Sequence, residues 1–239
     1  MADICGYDTS LLRDSFERVR RELEAAAKDS PTGKPPLLLA ATKTVPVEVI
    51  NYAAENLGLT DIGENRVDEL LEKYDRLDPN LKVHFIGALQ TNKVKHLIGR
   101  VSMIHSVDSE HLAREIGKAA LKAGTVMDVL LEINIGREEN KRGVMPEAAM
   151  DEMMKISEIE GILVKGVMTM APKCEKKADY QKYFAETRRI FLDIEAKKLH
   201  NIIDPVLSMG MSDSYVEAAR EGATIVRVGT ALFGHRHYQ

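Results

Sequence analysis

Between residues 10 and 28, Leu12, Phe16, Val19, Leu23 and Ala26 recur at steps of four and three among charged positions. That is the period of an amphipathic helix, so the chain is predicted to open on one. The Pro- and Gly-bearing stretch Ser30 to Pro36 breaks it, and the apolar run Leu37 to Thr42, which stops at Lys43, reads as a buried strand. Runs of the same kind follow at Leu57–Ile62, Val83–Gly87, Val101–Val107, Asp128–Ile135, Val164–Met170, Pro205–Met209 and Thr224–Gly229, which makes eight. Segments of helical period separate most of them: Val47–Asn56, Val67–Tyr74, Asn92–Ile98, Ser109–Ala123, Glu147–Ile159, Asp179–Lys198 and Asp213–Glu221. Apolar strands alternating with helices imply parallel pairing with both sheet faces covered, because each return crossover needs a helix. The predicted class is therefore α/β. Eight such units in about 230 residues match a (β/α)₈ TIM barrel, usually about 250 residues long, with an extra N-terminal helix. An open doubly wound sheet is the alternative, but no GxGxxG follows an early strand and no GxxxxGK[ST] occurs. Without a composition shift or low-complexity tract to mark a linker, residues 1–239 are expected to form one domain.

Composition narrows the partners. The chain has 239 residues, 33 Lys+Arg against 37 Asp+Glu and a net charge of −4. Such a balance offers no broad footprint for a polyanion, so nucleic acid is not expected as a partner. The apolar runs fall far short of the roughly 18 residues a spanning helix needs, and the N-terminus, with Asp3, Asp8 and Asp14, shows no export segment. Cys5 and Cys174 form neither a CxxC pair nor a disulfide framework. The expectation is a cytoplasmic protein.

In a parallel barrel the chemistry gathers at the C-terminal ends of the strands. Lys43 stands there, at the end of an apolar strand, where an ammonium is costly unless paired or used. Such a lysine loses its proton more readily than a free one and can attack a carbonyl to give a Schiff base. Its long stem also allows it to curl out into water, so position alone leaves both readings open. The C-terminal loops bear on the choice. Ser208 to Tyr215, with Gly210, and Arg227 to Gly234, with Gly229 and Thr230, follow the seventh and eighth strands. Those loops are the usual phosphate site of this barrel, and their small residues let backbone N–H groups approach an anion. An aldehyde-reactive amine facing a phosphate cradle suits a ligand carrying both groups, and pyridoxal 5′-phosphate is one.

The segments LLLAATKTVP around Lys43, IGENRVDEL around Asn65, HFIGALQTNKVK from His84, IHSVDS from Ile104 and SMGMSDSYVEAAREGATIVRVGTALFG to Gly234 resemble the family of pyridoxal phosphate homeostasis proteins. The resemblance spans Leu37 to Gly234 and implies a fold-type III barrel, similar to the N-terminal domain of alanine racemase, that holds the cofactor through a lysine on its first strand. It assigns the Schiff base to Lys43. By the same resemblance Ser208, Gly229 and Thr230 hold the phosphate with the Gly210 turn, Arg227 meets the phosphate or the pyridine nitrogen, and Asn65 lies near the ring. Ala88 is a departure, since the family often carries histidine there.

Racemisation needs a second acid or base opposite the lysine, which alanine racemases take from a C-terminal domain. The chain reaches Gln239 soon after its eighth strand, so the expectation is a monomeric carrier or buffer of the cofactor, with pyridoxal phosphate-dependent apoenzymes as possible recipients. The alternatives are a racemase or lyase acting on amino acids, with His105 as the candidate acid or base, and a cofactor-free Schiff-base aldolase. Lys141, in the charged loop Gly136 to Gly143, is a candidate for a transient second imine. His235 and His237 lack a third ligand for a metal.

Overall fold

In a computed structural model, residues 3–199 and 202–234 are described. The described chain opens on a two-stranded antiparallel hairpin, β1 (Asp3–Ile4) and β2 (Tyr7–Asp8), which the apolar periodicity does not reveal. Its turn sits on Cys5 and Gly6, both at positive φ. Asp8 then caps helix α1 (Thr9–Ala27) by accepting from the Ser10 and Leu11 backbone N–H groups. The helix buries the predicted stripe, Leu12 through Ala26.

Eight parallel strands follow and close on themselves: β3 (Leu37–Ala41), β4 (Asp61–Glu64), β5 (Lys82–Phe85), β6 (Met103–Val107), β7 (Met127–Ile133), β8 (Ile162–Thr169), β9 (Ile202–Ser208) and β10 (Ile225–Val228). β10 pairs with both β3 and β9, so no strand edge is left open. Around them lie α2 (Val47–Leu57), α3 (Val67–Tyr74), α4 (Glu110–Lys122), α5 (Ala149–Ser157), α6 (Lys177–Ala196), α7 (Tyr215–Arg220) and the short α8 (Thr230–Phe233).

Several boundaries differ from the sequence reading. The expected strand Leu57–Ile62 begins at Asp61, because Leu57 is the last residue of α2 and Gly58, at φ +62°, turns the chain out of the helix. The apolar run there joins a buried helix end to a strand. Asn92–Ile98, expected as a helix, is a 3₁₀ segment at Thr91–His96. His200, His235 and His237 lie outside the described residues.

The strand period sorts the barrel's contents. The main core lies between strands and helices. Inside, Leu39, Ile86 and Ile225 form one apolar cluster and Met103, Leu130 and Met168 another. Polar side chains on the same inward positions cross the interior: Asp61, His84, His105, Glu132, Ser208 and Arg227 are all buried. On β3 the inward positions are Leu39 and Ala41, and the next step of two is Lys43, which brings its side chain to the barrel mouth.

Candidate functional site

Lys43 shares a cavity of about 280 Å³ at the C-terminal ends of the strands with Asn65, Ile86, Met170, Arg227, Gly229 and Thr230. The N-terminal hairpin contributes Tyr7 to the wall, and the β9–α7 loop contributes Met211, Ser212 and Asp213. A hollow of about 250 Å³ at the opposite end of the barrel, between Arg20, Pro36 and Thr60, gathers no comparable set.

The two C-terminal loops are joined at this cavity by one hydroxyl. Ser212 Oγ accepts from the backbone N–H groups of Gly229 and Ala231, each at 3.2 Å. A Cβ on Gly229 would stand 3.1 Å from the Ala41 carbonyl oxygen, so the small residue lets β10 pass close to β3 beside Lys43. From outside, the Arg18 guanidinium on α1 donates to the Ala231 carbonyl at 2.8 Å and braces the same loop.

Asn65 follows β4 and is seated by a tight crossing. A Cβ on Gly87 would lie 2.0 Å from the Asn65 carbonyl oxygen, which is the physical reason for glycine in the HFIG segment. Asn65 Oδ1 is buried and has no hydrogen-bond partner in the structure. An orphaned acceptor on a cavity wall marks a place where a ligand donor or water belongs.

Ser208 and Gly210, expected at the phosphate, lie beneath the cavity rather than on its wall. Ser208 faces inward from the end of β9 and is fully buried. Its hydroxyl accepts from Arg227 Nη1 at 2.6 Å, while Arg227 Nη2 donates to the Thr169 carbonyl at 2.8 Å. Gly210, at φ +92°, accepts from the Arg227 backbone N–H through its carbonyl, and a Cβ there would meet the Ala218 Cβ at 2.5 Å. Both residues therefore fix Arg227, which alone of the three reaches the cavity.

From Arg227 a line of hydrogen bonds runs down the barrel. Ser208 Oγ lies 3.1 Å from His105 Nδ1, His105 Nε2 lies 2.9 Å from His84 Nδ1, and His84 Nε2 lies 3.0 Å from Asp61 Oδ1. A guanidinium cannot accept, so the Ser208 proton goes to His105 Nδ1. Burial, with His84 and Arg227 nearby, holds His105 well below the ordinary imidazole range, so it is neutral and donates from Nε2 to His84. His84 in turn donates to Asp61. Burial works against the Asp61 carboxylate, but the hydrogen bonds from His84 and Thr60 outweigh it and lower its pKa. His105 is thus part of the barrel's interior and does not line the cavity, and Lys141 lies on an exposed loop away from its wall.

Glu132, buried on β7, titrates unlike a free carboxylate. Burial and the Asp108 charge push it up to about 7, against the partial relief of Arg227 and Arg142. Its folded pKa lies above its unfolded one, so its contribution to stability is full below about pH 4.5 and is lost as pH rises toward 7. Urea melts should therefore show Glu132→Gln gaining about 2–3 kcal/mol on wild type between pH 5 and pH 8. Equal gains at both pH values would contradict a buried, raised carboxyl.

Lys43, Asn65, Arg227, Gly229 and Thr230, expected together from the sequence, all line this one cavity. The sequence reading missed Tyr7 and Ser212. Ser212 stood in the quoted SMGMSDSY segment, and its distance from the strand end was the available signal; Tyr7 carried none.

The family model for the N-terminal domain of alanine racemase matches residues 15–237. A pyridoxal phosphate homeostasis protein of Aquifex aeolicus is 47% identical over 224 residues, which cover 93% of this chain and 96% of the relative. One from Pseudomonas aeruginosa is 34% identical over 222 residues, 92% of either chain. Among solved structures, PipY of Synechococcus elongatus with PLP bound is similar at a TM-score of 0.80 and 30% identity, over 93% of this chain and 100% of its own. An alanine racemase of Clostridium difficile shares the fold at a TM-score of 0.74 and 17% identity, over 95% of this chain and 57% of its own.

Proposed function

The chain belongs to the alanine racemase N-terminal-domain family and, within it, to the pyridoxal phosphate homeostasis proteins; from that premise we propose that it binds pyridoxal 5′-phosphate (PLP) at the Lys43 cavity and buffers or carries it. The observation that carries the assignment to this cavity is that Lys43 and the loops joined by Ser212, with Gly229 and Thr230, line one small hollow.

The residues fit the group. Backbone N–H groups and hydroxyls of the Ser212 to Thr230 wall suit a phosphate, the orphaned Asn65 Oδ1 awaits a donor, and Met170, Met211 and Ile86 supply apolar walls for a ring. When bound, PLP supplies an aldehyde that condenses reversibly with a lysine amine. Lys43 provides that amine. Arg227 presents a permanent cation, held by Ser208 and the Thr169 carbonyl, and Gly210 holds its backbone. Were Arg227 to face the ring nitrogen of the bound cofactor, a guanidinium there could not accept its proton, and the site would favour holding the cofactor over drawing electrons from a substrate.

The protein acts in the cytoplasm as a single-domain monomer and passes PLP to PLP-dependent apoenzymes, sustaining B6 vitamer balance and, through it, amino-acid metabolism. No helix among the described residues is long and apolar enough to cross a membrane. The competing reading, an amino-acid racemase or lyase, needs a base on the face opposite Lys43. Tyr7 is the phenol on this wall, and burial raises its pKa, with Lys73 opposing, so it stays protonated and is a poor base. Deuterium exchange at the α-carbon of amino acids separates the two.

Purified protein mixed with PLP should turn yellow, and borohydride should fix one pyridoxyl phosphate on the peptide that carries Lys43. A label confined to any other lysine would remove the assignment.

A further inference from the structure

Beside Lys43, tied to the backbone on either side of it, lies a nearly buried cluster of charge that the proposed function leaves unused. Lys73, on α3, is 12% exposed at its side chain and spends its ammonium on three acceptors. It donates to the Thr42 carbonyl at 2.9 Å, to Glu64 Oε1 at 2.9 Å and to Glu69 Oε1 at 2.6 Å. Glu64 Oε1 also accepts from the Thr42 hydroxyl at 2.7 Å, and Glu69 Oε1 accepts from the Thr44 backbone N–H. Thr42 is thus tied to Lys73 and Glu64, and Thr44 to Glu69, so both residues that flank Lys43 are anchored in one connected cluster.

The backbone between those ties is not relaxed. Thr44 sits at φ +65°, a left-handed conformation that a β-branched residue keeps only where its surroundings dictate it. A buried ion cluster is also an expensive way merely to join a strand to a helix, since apolar side chains of similar size do that without desolvating charge. What the cluster supplies that apolar packing cannot is fixed direction at the Thr42 carbonyl and the Thr44 N–H.

We propose that Lys73, with Glu64 and Glu69, is a positioning device that aims the Lys43 amine into the cavity and so sets how fast it condenses with an aldehyde. In that condensation the amine nitrogen bonds to the aldehyde carbon, the carbon–oxygen double bond becomes carbon–nitrogen, and one water leaves. The proposal rests on the reading of Lys43 as the attachment residue.

The test compares wild type with Lys73→Met and with Glu69→Gln, which keeps an acceptor for Thr44 while removing the charge. Stopped-flow absorbance after adding PLP gives the attachment rate. Calorimetry with pyridoxine 5′-phosphate, which lacks the aldehyde, gives the affinity of the phosphate and ring contacts alone. Hydrogen exchange of the cofactor-free protein reads the 38–46 segment directly. The expected result is attachment slowed about tenfold or more in Lys73→Met and about threefold in Glu69→Gln, each 1.4 kcal/mol of barrier giving a tenfold change. Pyridoxine 5′-phosphate affinity should stay within about twofold, with faster exchange confined to 38–46. Lys73→Arg should restore part of the rate. Should Lys73→Met not fold, Glu69→Gln decides by the same criteria. Attachment rates equal to wild type, or affinity for the aldehyde-free analogue falling in step with the rate, would overturn the proposal. Borohydride label on a lysine other than Lys43 in wild type would instead remove the reading beneath it.

Discussion

Lys43→Ala should leave no cofactor attached after borohydride and denaturation, while the folded protein changes little. The side chain is half-buried at the barrel mouth, beyond the last hydrogen-bonded residue of β3, and the backbone around it is held by Thr42 and Thr44 contacts that alanine does not touch. A substitution of that kind costs within about 0.5 kcal/mol, or about 2 °C in Tm. The phosphate end of the cavity, built on Ser212, Gly229 and Thr230, is untouched, so pyridoxine 5′-phosphate should bind the variant as it binds wild type. The visible band of the PLP complex should vanish with the amine. Retention of that band in Lys43→Ala would mean that another amine serves and that the strand-end lysine does not.

Arg227→Met should damage both the fold and the site. The guanidinium is buried, and its removal strips Ser208 Oγ and the Thr169 carbonyl of their charged donor, leaving two buried acceptors to be satisfied otherwise. Burial already pushes Arg227 down to about 10, with Glu132 opposing, so it is still a cation at neutral pH and offsets the Glu132 charge. Methionine fills the volume and supplies no charge. The expected loss is about 3 kcal/mol, or about 6–12 °C in Tm, read by thermal melts. The histidine line below should respond as well. Without the Arg227 donor, the Ser208 hydroxyl is free to turn, and nitrogen-15 shifts of His105 and His84 would report the change of tautomer. Arg227→Lys should recover only part of the stability, because one ammonium cannot span both acceptors with the planar fork of arginine. A melting temperature unchanged in Arg227→Met would show that the buried contacts contribute little.

Much of this arrangement could be read from the chain because a parallel barrel writes its strands as short apolar runs and puts its chemistry just after them. Strand-end position singles out Lys43 and Thr230 as candidates, and the family resemblance is what decides Lys43 and brings in Asn65. Errors arose where the rule mixes signals. Leu57 is apolar because it is buried at the end of α2, so the run Leu57–Ile62 merged a helix end with a strand start. Asp61, the true first residue of that strand, faces His84 inside the barrel. Ser208 comes to the phosphate through the resemblance; in the structure the strand period turns its hydroxyl inward under Arg227, and Ser212, farther along the loop, joins the two loops at the cavity. The Lys73 cluster was invisible for a different reason. Its members lie on α3 and β4, and only the packing of that helix beside the β3 end brings them to Thr42 and Thr44.

Tyr7 and Gly234 belong to opposite ends of the described chain, and both border the same opening. Any tag or reporter appended near residue 3 or residue 234 is consequently a neighbour of the entrance, where it competes with whatever must come and go. The α4–β7 turn, Ala123 to Val126, is exposed throughout and lies at the other end of the barrel, before a strand instead of after one. Insertions engineered there would leave the entrance clear.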